Sequence, residues 1–231
     1  MNKEMTKNRL LEILLSGTDE ELAEIIEDVH PADILDIIHE EENNLAKILK
    51  RLPDWMITDI IEEEDDSEKY ELLKNFSERK QRNILGQMSS DEITDLIGAL
   101  DKEESKDVLQ KISEEERKEV CTLLTYDADT AGGIMATEFI AIKEEMSIRE
   151  TLKYLQKAAL EAESVSYVYV VDNNGILKGV VSLRDIVCTN FNTKISEITN
   201  TNVITLRYDM DQEEVANTFE KYGFLSMPVV D

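Results

Sequence analysis

Two aspartates, Asp91 and Asp95, have the chemistry and the spacing of a cation-binding pair. They lie four residues apart in a segment predicted to be helical, so their side chains share one face. Mg²⁺ is usually held by one or two carboxylates and water, which such a pair could supply. An acid in a first helical turn is also favoured by the helix dipole, whatever its function. The apolar residues of the same segment fall on the opposite side: Ile93, Leu96, Ile97 and Leu100.

The charge of the whole chain favours cations over nucleic acids as partners. Asp and Glu number 51 against 25 Lys and Arg, which gives a formal net charge of −26. A surface this negative repels the phosphates of nucleic acids and anionic lipids. Ordinary solubility is the alternative explanation of the charge. No apolar run approaches the roughly 20 residues that cross a bilayer, so we expect a soluble, cytosolic chain.

The sequence contains no constellation typical of an enzyme. It lacks a P-loop, a nucleophile elbow and the spacing of zinc ligands. His30 and His39 are expected in a turn and on an exposed helix face. Cys121 and Cys188 have no metal or redox spacing, and we expect both to be buried and reduced. The chain is therefore predicted not to be an enzyme.

The first half of the chain repeats a short helical unit. Between residues 18 and 124, a small or acidic residue is followed by acids and then by apolar residues at helical spacing, with a period of roughly 11–13 residues. Helices this short are unstable alone, so they are predicted to stack into a superhelix with one continuous core. The units begin near Thr18, Pro31, Asn43, Asp54, Ser67, Ser77, Ser89, Asp101 and Ser113.

After residues 127–133 the pattern changes to short β-branched runs that alternate with helices. A first copy of this pattern contains a hairpin whose turn is Asp172–Gly175, and a second, shorter copy begins at Ile195. The second copy stops where the first makes its hairpin, so the chain is expected to be a fragment. The predicted elements are strand 139–142, helix 148–160, strands 167–171 and 179–182, helix 183–188, strand 203–206, helix 212–222 and strand 228–230.

Two such β-α-β-β-α units in tandem resemble a CBS pair. More specific motifs stand at the junction and within the units: Ala131–Phe139, Tyr167–Asp172, Gly179–Asp185 and Asp209–Ala216. Upstream, His30–Ile34 opens the helical region. These motifs resemble those of the MgtE magnesium-channel family, and the helical region is similar to the N domain of that family.

The fold class that the resemblance implies is α + α/β. An N-terminal all-α superhelix of short helices is followed by a tandem CBS module whose second CBS domain is truncated. The predicted boundaries are 1–126 for the N domain, 127–190 for the first CBS domain and 191–231 for the incomplete second one.

The resemblance also implies a function. The chain would be the cytosolic magnesium-sensing and gating region of a magnesium channel, in which Mg²⁺ bound between the N and CBS domains stabilises the closed state. It would form a homodimer through its CBS domains and join a transmembrane pore domain of the same polypeptide, on the cytoplasmic side of the cell membrane. Nucleic acid is not an expected partner. The alternative is an adenine-nucleotide-sensing CBS regulatory module.

The metal ligands of the family correspond to six positions in this sequence. The N-domain positions are Asp59, Asp91 and Asp95. The CBS positions are Asp211, Glu213 and the backbone carbonyl of Gly133. A further family carboxylate corresponds to Gly223, so the CBS–CBS metal site that uses it lacks that ligand here.

The nucleotide contacts of the family map to four positions: Tyr167, Arg184, Asp185 and Phe224. An aromatic ring, a guanidinium and an aspartate beside a ribose suit the recognition of ATP. Arg184 and Asp185 could instead form a surface ion pair. The cofactors that the resemblance implies are therefore Mg²⁺ and ATP.

Overall fold

The computed structural model describes residues 7–158 and 165–231. The chain divides into two compact units. The first contains the residues up to Met88 together with Glu92–Arg117, and the second contains Ser89–Asp91 together with Lys118–Asp231. Among the described residues, no helix has the length and apolar character needed to cross a membrane.

Short amphipathic segments form the helices of the first half of the chain. Helices α2 to α10 each begin within two residues of a predicted unit start, whereas α1 was not predicted as a helix. The helices are α1 (Lys7–Ser16), α2 (Asp19–Ile25), α3 (Pro31–Glu40), α4 (Leu45–Leu49), α5 (Asp54–Glu62), α6 (Asp66–Leu73), α7 (Glu78–Leu85), α8 (Ser90–Ala99), α9 (Lys102–Lys111) and α10 (Glu114–Leu123).

Side chains satisfy the free amides at several helix starts. Thr18 and Glu21 form a capping box at α2, with distances of 3.1 Å and 2.9 Å between the donor nitrogens and the accepting oxygens. At α3 the ring of His30 accepts from the amide of Ala32, so His30 is the N-cap of this helix, in extended backbone and not in the predicted turn. His39 is on the exposed face of the same helix, where its Nε2 lies 2.7 Å from the Glu64 carboxylate.

The core of the first unit runs through alternate helices. Helix α3 packs against α5, α5 against α7, and α7 against α9. Ile37, Ile60, Ile84 and Val108 are buried along this series. Stacking of this kind gives helices too short to be stable alone a shared apolar interior.

A buried lysine joins α6 to α8 inside this unit. Lys69 is only 3% exposed. Burial alone lowers the pKa of its ammonium, but the hydrogen bonds that it donates to the carboxylates of Asp66 and Glu92 outweigh that effect and raise the pKa. Its Nζ lies 2.7 Å from the Asp66 carboxylate and 2.6 Å from that of Glu92. A buried cation paired in this way fixes the start of α6 against the first turn of α8.

In the part of the second unit that the structure describes there are two small sheets. In the larger one, β2 pairs in parallel with β1 and antiparallel with β3, and Ile142 lies opposite Val170. In the smaller one, β4 and β5 are parallel. The elements are β1 (Ala141–Lys143), α11 (Ile148–Ala158), β2 (Tyr167–Val171), β3 (Leu177–Ser182), α12 (Leu183–Cys188), β4 (Leu206–Arg207), α13 (Gln212–Tyr222) and β5 (Val229–Val230).

These elements follow the predicted order, so the α + α/β fold class is confirmed. The turn between β2 and β3 contains Gly175 at a φ of +84°, a value that glycine tolerates without strain. The last two residues of the predicted helix 148–160 lie outside the described residues. The prediction that Cys121 and Cys188 are buried is wrong, because both thiols are exposed. Val120 and Ile186 are buried, whereas Val187 is exposed, as are the two cysteines on the solvent-facing sides of α10 and α12.

Candidate metal and nucleotide sites

Asp59 is a half-buried carboxylate on α5. Its neighbours Ile57, Ile60 and Ile61 face the core of the first unit. Burial, followed by the negative charge of Glu63, raises the pKa of Asp59 above its ordinary value. The protein therefore disfavours the ionised form of this group, and a nearby cation would relieve that cost.

On α8, Asp91 and Asp95 share the helix face opposite Ile93 and Leu96, but only Asp95 faces solvent as predicted. Ile93 and Leu96 are fully buried, whereas Asp95 is exposed. Asp91 is partly buried, and its Oδ1 is buried without a hydrogen bond to any described residue. An unpartnered carboxylate oxygen is costly in such a place, and a ligand that binds it would recover the cost.

The first turn of α8 is capped by another carboxylate. The amide of Ser90 donates to Oε1 of Glu138 over 2.9 Å. The hydroxyls of Ser90 and Thr137 lie 2.6 Å apart. The helix-dipole explanation of Asp91 is weaker as a result, because Glu138 already supplies a negative charge to this helix end. Sequence reasoning missed this role of Glu138, although the residue stands in the junction motif.

The junction motif brings three of the predicted metal positions into one region of the second unit. The amide of Ala131 donates to the carbonyl of Met210 over 2.7 Å, and the amide of Gln212 donates to the carbonyl of Asp129 over 2.8 Å. These bonds hold residues 129–133 against the start of α13. Gly133, Asp211 and Glu213 therefore belong to neighbouring pieces of backbone.

Close backbone packing explains why this motif contains glycine. A Cβ on Gly133 would overlap the carbonyl oxygen of Asp127. A Cβ on Gly132 would lie 2.9 Å from the ring of Tyr126. Only glycine allows these approaches. The two glycines thus serve packing against residues 126–128.

Asp211 caps α13, and Glu213 stands in its exposed first turn. Oδ1 of Asp211 accepts from the amide of Glu213 over 2.9 Å. One oxygen of Asp211 thus has a structural role. Glu213 also borders an open groove of about 590 Å³ on α13, together with Ile134, Gln212, Val215, Ala216 and Phe219.

Gly223 ends α13 in the left-handed conformation. Its φ is +64°, and its amide donates to the carbonyl of Phe219 over 2.8 Å. A carboxylate side chain at this position would be strained, because L-residues rarely adopt such a φ. The position therefore functions as a helix C-cap.

Three of the four predicted nucleotide positions lie at one end of the β2–β3 hairpin. Tyr167 pairs with Ser182 across the two strands. The Ser182 hydroxyl accepts from the amide of Asp185 and donates to its carboxylate over 2.6 Å. Arg184, in the same first turn of α12, is exposed. Asp185 is thus engaged with Ser182.

Phe224, the fourth position, lies beyond α13 in the second copy. Its ring stacks on Tyr222 with centroids 5.9 Å apart and an interplanar angle of 9°. Both rings are about 40% exposed. An exposed aromatic pair of this kind can stack on a base.

Within the described parts of the chain, no group of three or more His, Cys, Asp and Glu side chains is placed to hold a metal ion. The carboxylates of each unit thus form no preassembled cage. Mg²⁺ usually keeps several waters and takes one or two carboxylates, so sparse ligands remain compatible with it.

Comparison with known families covers nearly the whole chain. The sequence profile of the MgtE intracellular N domain matches residues 29–129, and that of the CBS domain matches residues 131–188 and 195–231. The crystal structure of the cytosolic domain of the Mg²⁺ channel MgtE in complex with ATP superimposes with a TM-score of 0.89 and 35% identity, over 98% of this chain and 93% of that one. The chain belongs to the MgtE family.

Curated MgtE proteins support the same assignment. The magnesium transporter MgtE of Thermus thermophilus is 37% identical over 96% of this chain and 50% of its own length. The MgtE of Bacillus subtilis is 32% identical over the same shares. The chain spans about half the length of these relatives, and it corresponds to the cytosolic region of MgtE transporters rather than to an enzyme.

Proposed function

We propose that this MgtE-family chain senses magnesium and gates a channel. Mg²⁺ bound between the N and CBS domains would stabilise the closed state. The ion acts by linkage: it binds the docked arrangement better than the separated one and so increases the docked population. Because the chain carries a net charge of −26, its parts repel one another until divalent cations neutralise facing acids.

The observation that carries this proposal is the environment of Asp91. Its Oδ1 is buried without a partner among the described residues, and it is Glu138 that caps α8. Asp59 adds a second half-buried carboxylate whose charge the protein disfavours. We propose these two residues, with Asp95, Asp211, Glu213 and the Gly133 carbonyl, as the ligand set, shared with water.

The proposal includes an assembly and a location. The predicted modules 1–126, 127–190 and 191–231 would function together in a homodimer formed through the CBS domains. They would act on a pore domain of the same polypeptide, at the cytoplasmic face of the membrane.

Protease protection during a magnesium titration tests the sensor function. We expect millimolar Mg²⁺ to slow cleavage of the chain, whereas equal ionic strength supplied by Na⁺ should not. The same titration of a variant with Asp91, Asp95 and Asp211 all changed to Asn is the control, and it should show no protection. Protection that survives in this variant would contradict the proposed ligands.

A second candidate function is the sensing of adenine nucleotides. Two observations favour it: the structurally similar cytosolic domain of MgtE was crystallised in complex with ATP, and Tyr167, Arg184 and Asp185 lie at one end of a hairpin. Calorimetry with ATP, ADP and AMP tests it. Heat of binding that disappears on Arg184→Ala and persists in Lys178→Ala would support this function, and absence of heat with all three nucleotides would exclude it.

A further inference from the structure

The carboxylate of Glu138 links the segment before β1 to the helix that carries Asp91. Its Oε1 accepts from the amide of Ser90, and its Oε2 accepts from the amide of Thr137 over 3.0 Å. The Ser90 and Thr137 hydroxyls add a contact of 2.6 Å, and Ser90 is only 3% exposed. All of these groups belong to the second unit.

The segment that carries Glu138 is itself fixed to the sheet. Ile140 is 2% exposed, and its carbonyl accepts from the amide of Tyr169 in β2 over 2.9 Å. The ring of Phe139 meets the ring of Tyr169 edge-on, with centroids 5.9 Å apart. The backbone that carries the Glu138 side chain is therefore held in place by the sheet.

The next residue after Ser90 is Asp91. Because the amide of Ser90 donates to Glu138, the backbone at the start of α8 is held in one orientation. The position of Asp91, the next residue, is set by that orientation. The charge of Glu138 also satisfies the positive end of the helix, so the Asp91 carboxylate is not drawn back to cap its own amides. Its Oδ1 stays buried and without a partner among the described residues.

We propose that Glu138 is a positioning residue for Asp91: it binds no cation itself, but it orients the carboxylate that does. This inference rests on the proposed function, because it assumes that Asp91 is a Mg²⁺ ligand. Outer partners that orient metal ligands contribute about 10- to 100-fold to metal affinity. In a site rich in water, we expect the effect of Glu138 at the lower end of that range.

A series of substitutions in the full chain tests the inference, with the midpoint of Mg²⁺-dependent protease protection as the readout. Glu138→Ala should raise the midpoint about tenfold. Glu138→Gln should raise it less, because the amide oxygen can still accept from Ser90. Thr137→Val, which removes the hydroxyl contact and keeps the carboxylate, should give a small shift. The matched control is Glu145→Gln, the same charge change at an exposed residue, and it should leave the midpoint unchanged.

Melting temperatures without Mg²⁺ separate positioning from a purely structural role. If Glu138 only stabilises the fold, Glu138→Ala lowers the melting temperature and leaves the midpoint, measured well below melting, at the wild-type value. That result overturns the inference. If Glu138→Ala does not fold, the same comparison is made with Glu138→Gln and Thr137→Val. Midpoints that stay at the wild-type value in both variants overturn the inference.

The Asp91→Asn variant distinguishes failure of this inference from failure of the proposed function. If Asp91→Asn shifts the midpoint and the Glu138 variants do not, only the positioning role is refuted. If the wild-type chain does not respond to Mg²⁺, or Asp91→Asn responds as the wild type does, Asp91 is not a ligand and both are refuted. A graded shift from Glu138→Gln to Glu138→Ala, in the same direction as Asp91→Asn, supports the positioning role.

Discussion

Replacing Asp91 by Asn distinguishes two roles for this residue: a ligand of Mg²⁺, or an acid that only stabilises its helix. The substitution keeps the size of the side chain and removes its charge. If Asp91 binds Mg²⁺, the variant loses cation response without losing stability. If Asp91 only supports α8, the variant loses stability and keeps its response.

The expected loss of affinity follows from the charges. Two unit charges 4 Å apart attract by about 1 kcal/mol in water, so a divalent ion and one carboxylate attract by about 2 kcal/mol. That energy corresponds to about a 30-fold change in dissociation constant. The value is a lower bound, because Oδ1 of Asp91 is buried and the local dielectric constant is smaller than that of water.

The expected change in stability is small because two effects oppose each other. Removing an acid from a first helical turn costs about 0.3–1 kcal/mol of dipole interaction. Removing one of two like charges at the i and i+4 positions, Asp91 and Asp95, recovers about 0.2–0.5 kcal/mol. The free energy of unfolding without metal should therefore change by no more than about 0.8 kcal/mol.

Calorimetric titration with Mg²⁺, and urea denaturation in the presence of a chelator, measure the two quantities. Glu103→Gln is a matched control, because Glu103 also stands second in its helix, α9, and is exposed. The control should bind Mg²⁺ as the wild type does. A dissociation constant for Asp91→Asn within about twofold of the wild type would refute the assignment of Asp91 as a ligand.

Three further predictions concern the fold that positions these groups. Arg51→Ala should lower the free energy of unfolding of the first unit by about 2–3 kcal/mol, because the guanidinium donates to three carbonyls at the end of α1 over 2.7–3.1 Å. Urea denaturation measures this change. Arg51→Lys should lower the free energy of unfolding by less. Gly133→Ala should destabilise the second unit by about 1–3 kcal/mol, because the new methyl group meets backbone atoms, and thermal melting measures it. In the control Gly98→Ala, the methyl group meets no described atom within 4 Å, so the free energy of unfolding should rise by about 0.5–1 kcal/mol. Equal effects of the two substitutions would contradict the packing argument. Hydrogen bonds from Lys178 and from the turn amides lower the pKa of Asp172. The contribution of Asp172 to stability is therefore complete above the pKa of an aspartate in the unfolded chain, about 3.9, and it is lost as the pH falls through the lower pKa of the folded state. Melting curves of wild type and Asp172→Asn should therefore converge as the pH falls below about 4, and a constant difference would contradict that origin.

The helical half of the fold was predictable because its signals are local. Capping residues such as Thr18 and Ser113, followed by acids and then apolar residues, mark helix starts to within two residues. Helix α1 was missed because Thr6, the residue before it, is followed by Lys7, Asn8 and Arg9 and not by acids. Its end is held by Arg51, which is 34 or more residues away from the carbonyls it contacts.

The strands were predicted in order, but their bounds were less accurate. The prediction of a strand at 203–206 overlaps β4 only at Leu206, because ladder pairing with β5 and not local propensity decides where β4 begins. Cys121 and Cys188 were expected inside because their neighbours are apolar, but a helix alternates its faces within a few residues.

The candidate site was only partly accessible from sequence. The placement of Asp91 and Asp95 on one face opposite Ile93 and Leu96 follows from helical spacing. The cap that Glu138 provides to α8 does not, because it joins residues 48 positions apart. The half-burial that raises the pKa of Asp59 likewise depends on packing between helices.

Small-angle scattering across a magnesium titration tests the central claim most directly. If cations bridge two acidic parts of the chain, the radius of gyration should fall as Mg²⁺ rises through the millimolar range, and the change should vanish when Asp91, Asp95 and Asp211 are replaced together by Asn. Na⁺ at the same ionic strength should have little effect. Dimensions that stay constant throughout the Mg²⁺ titration would contradict the account.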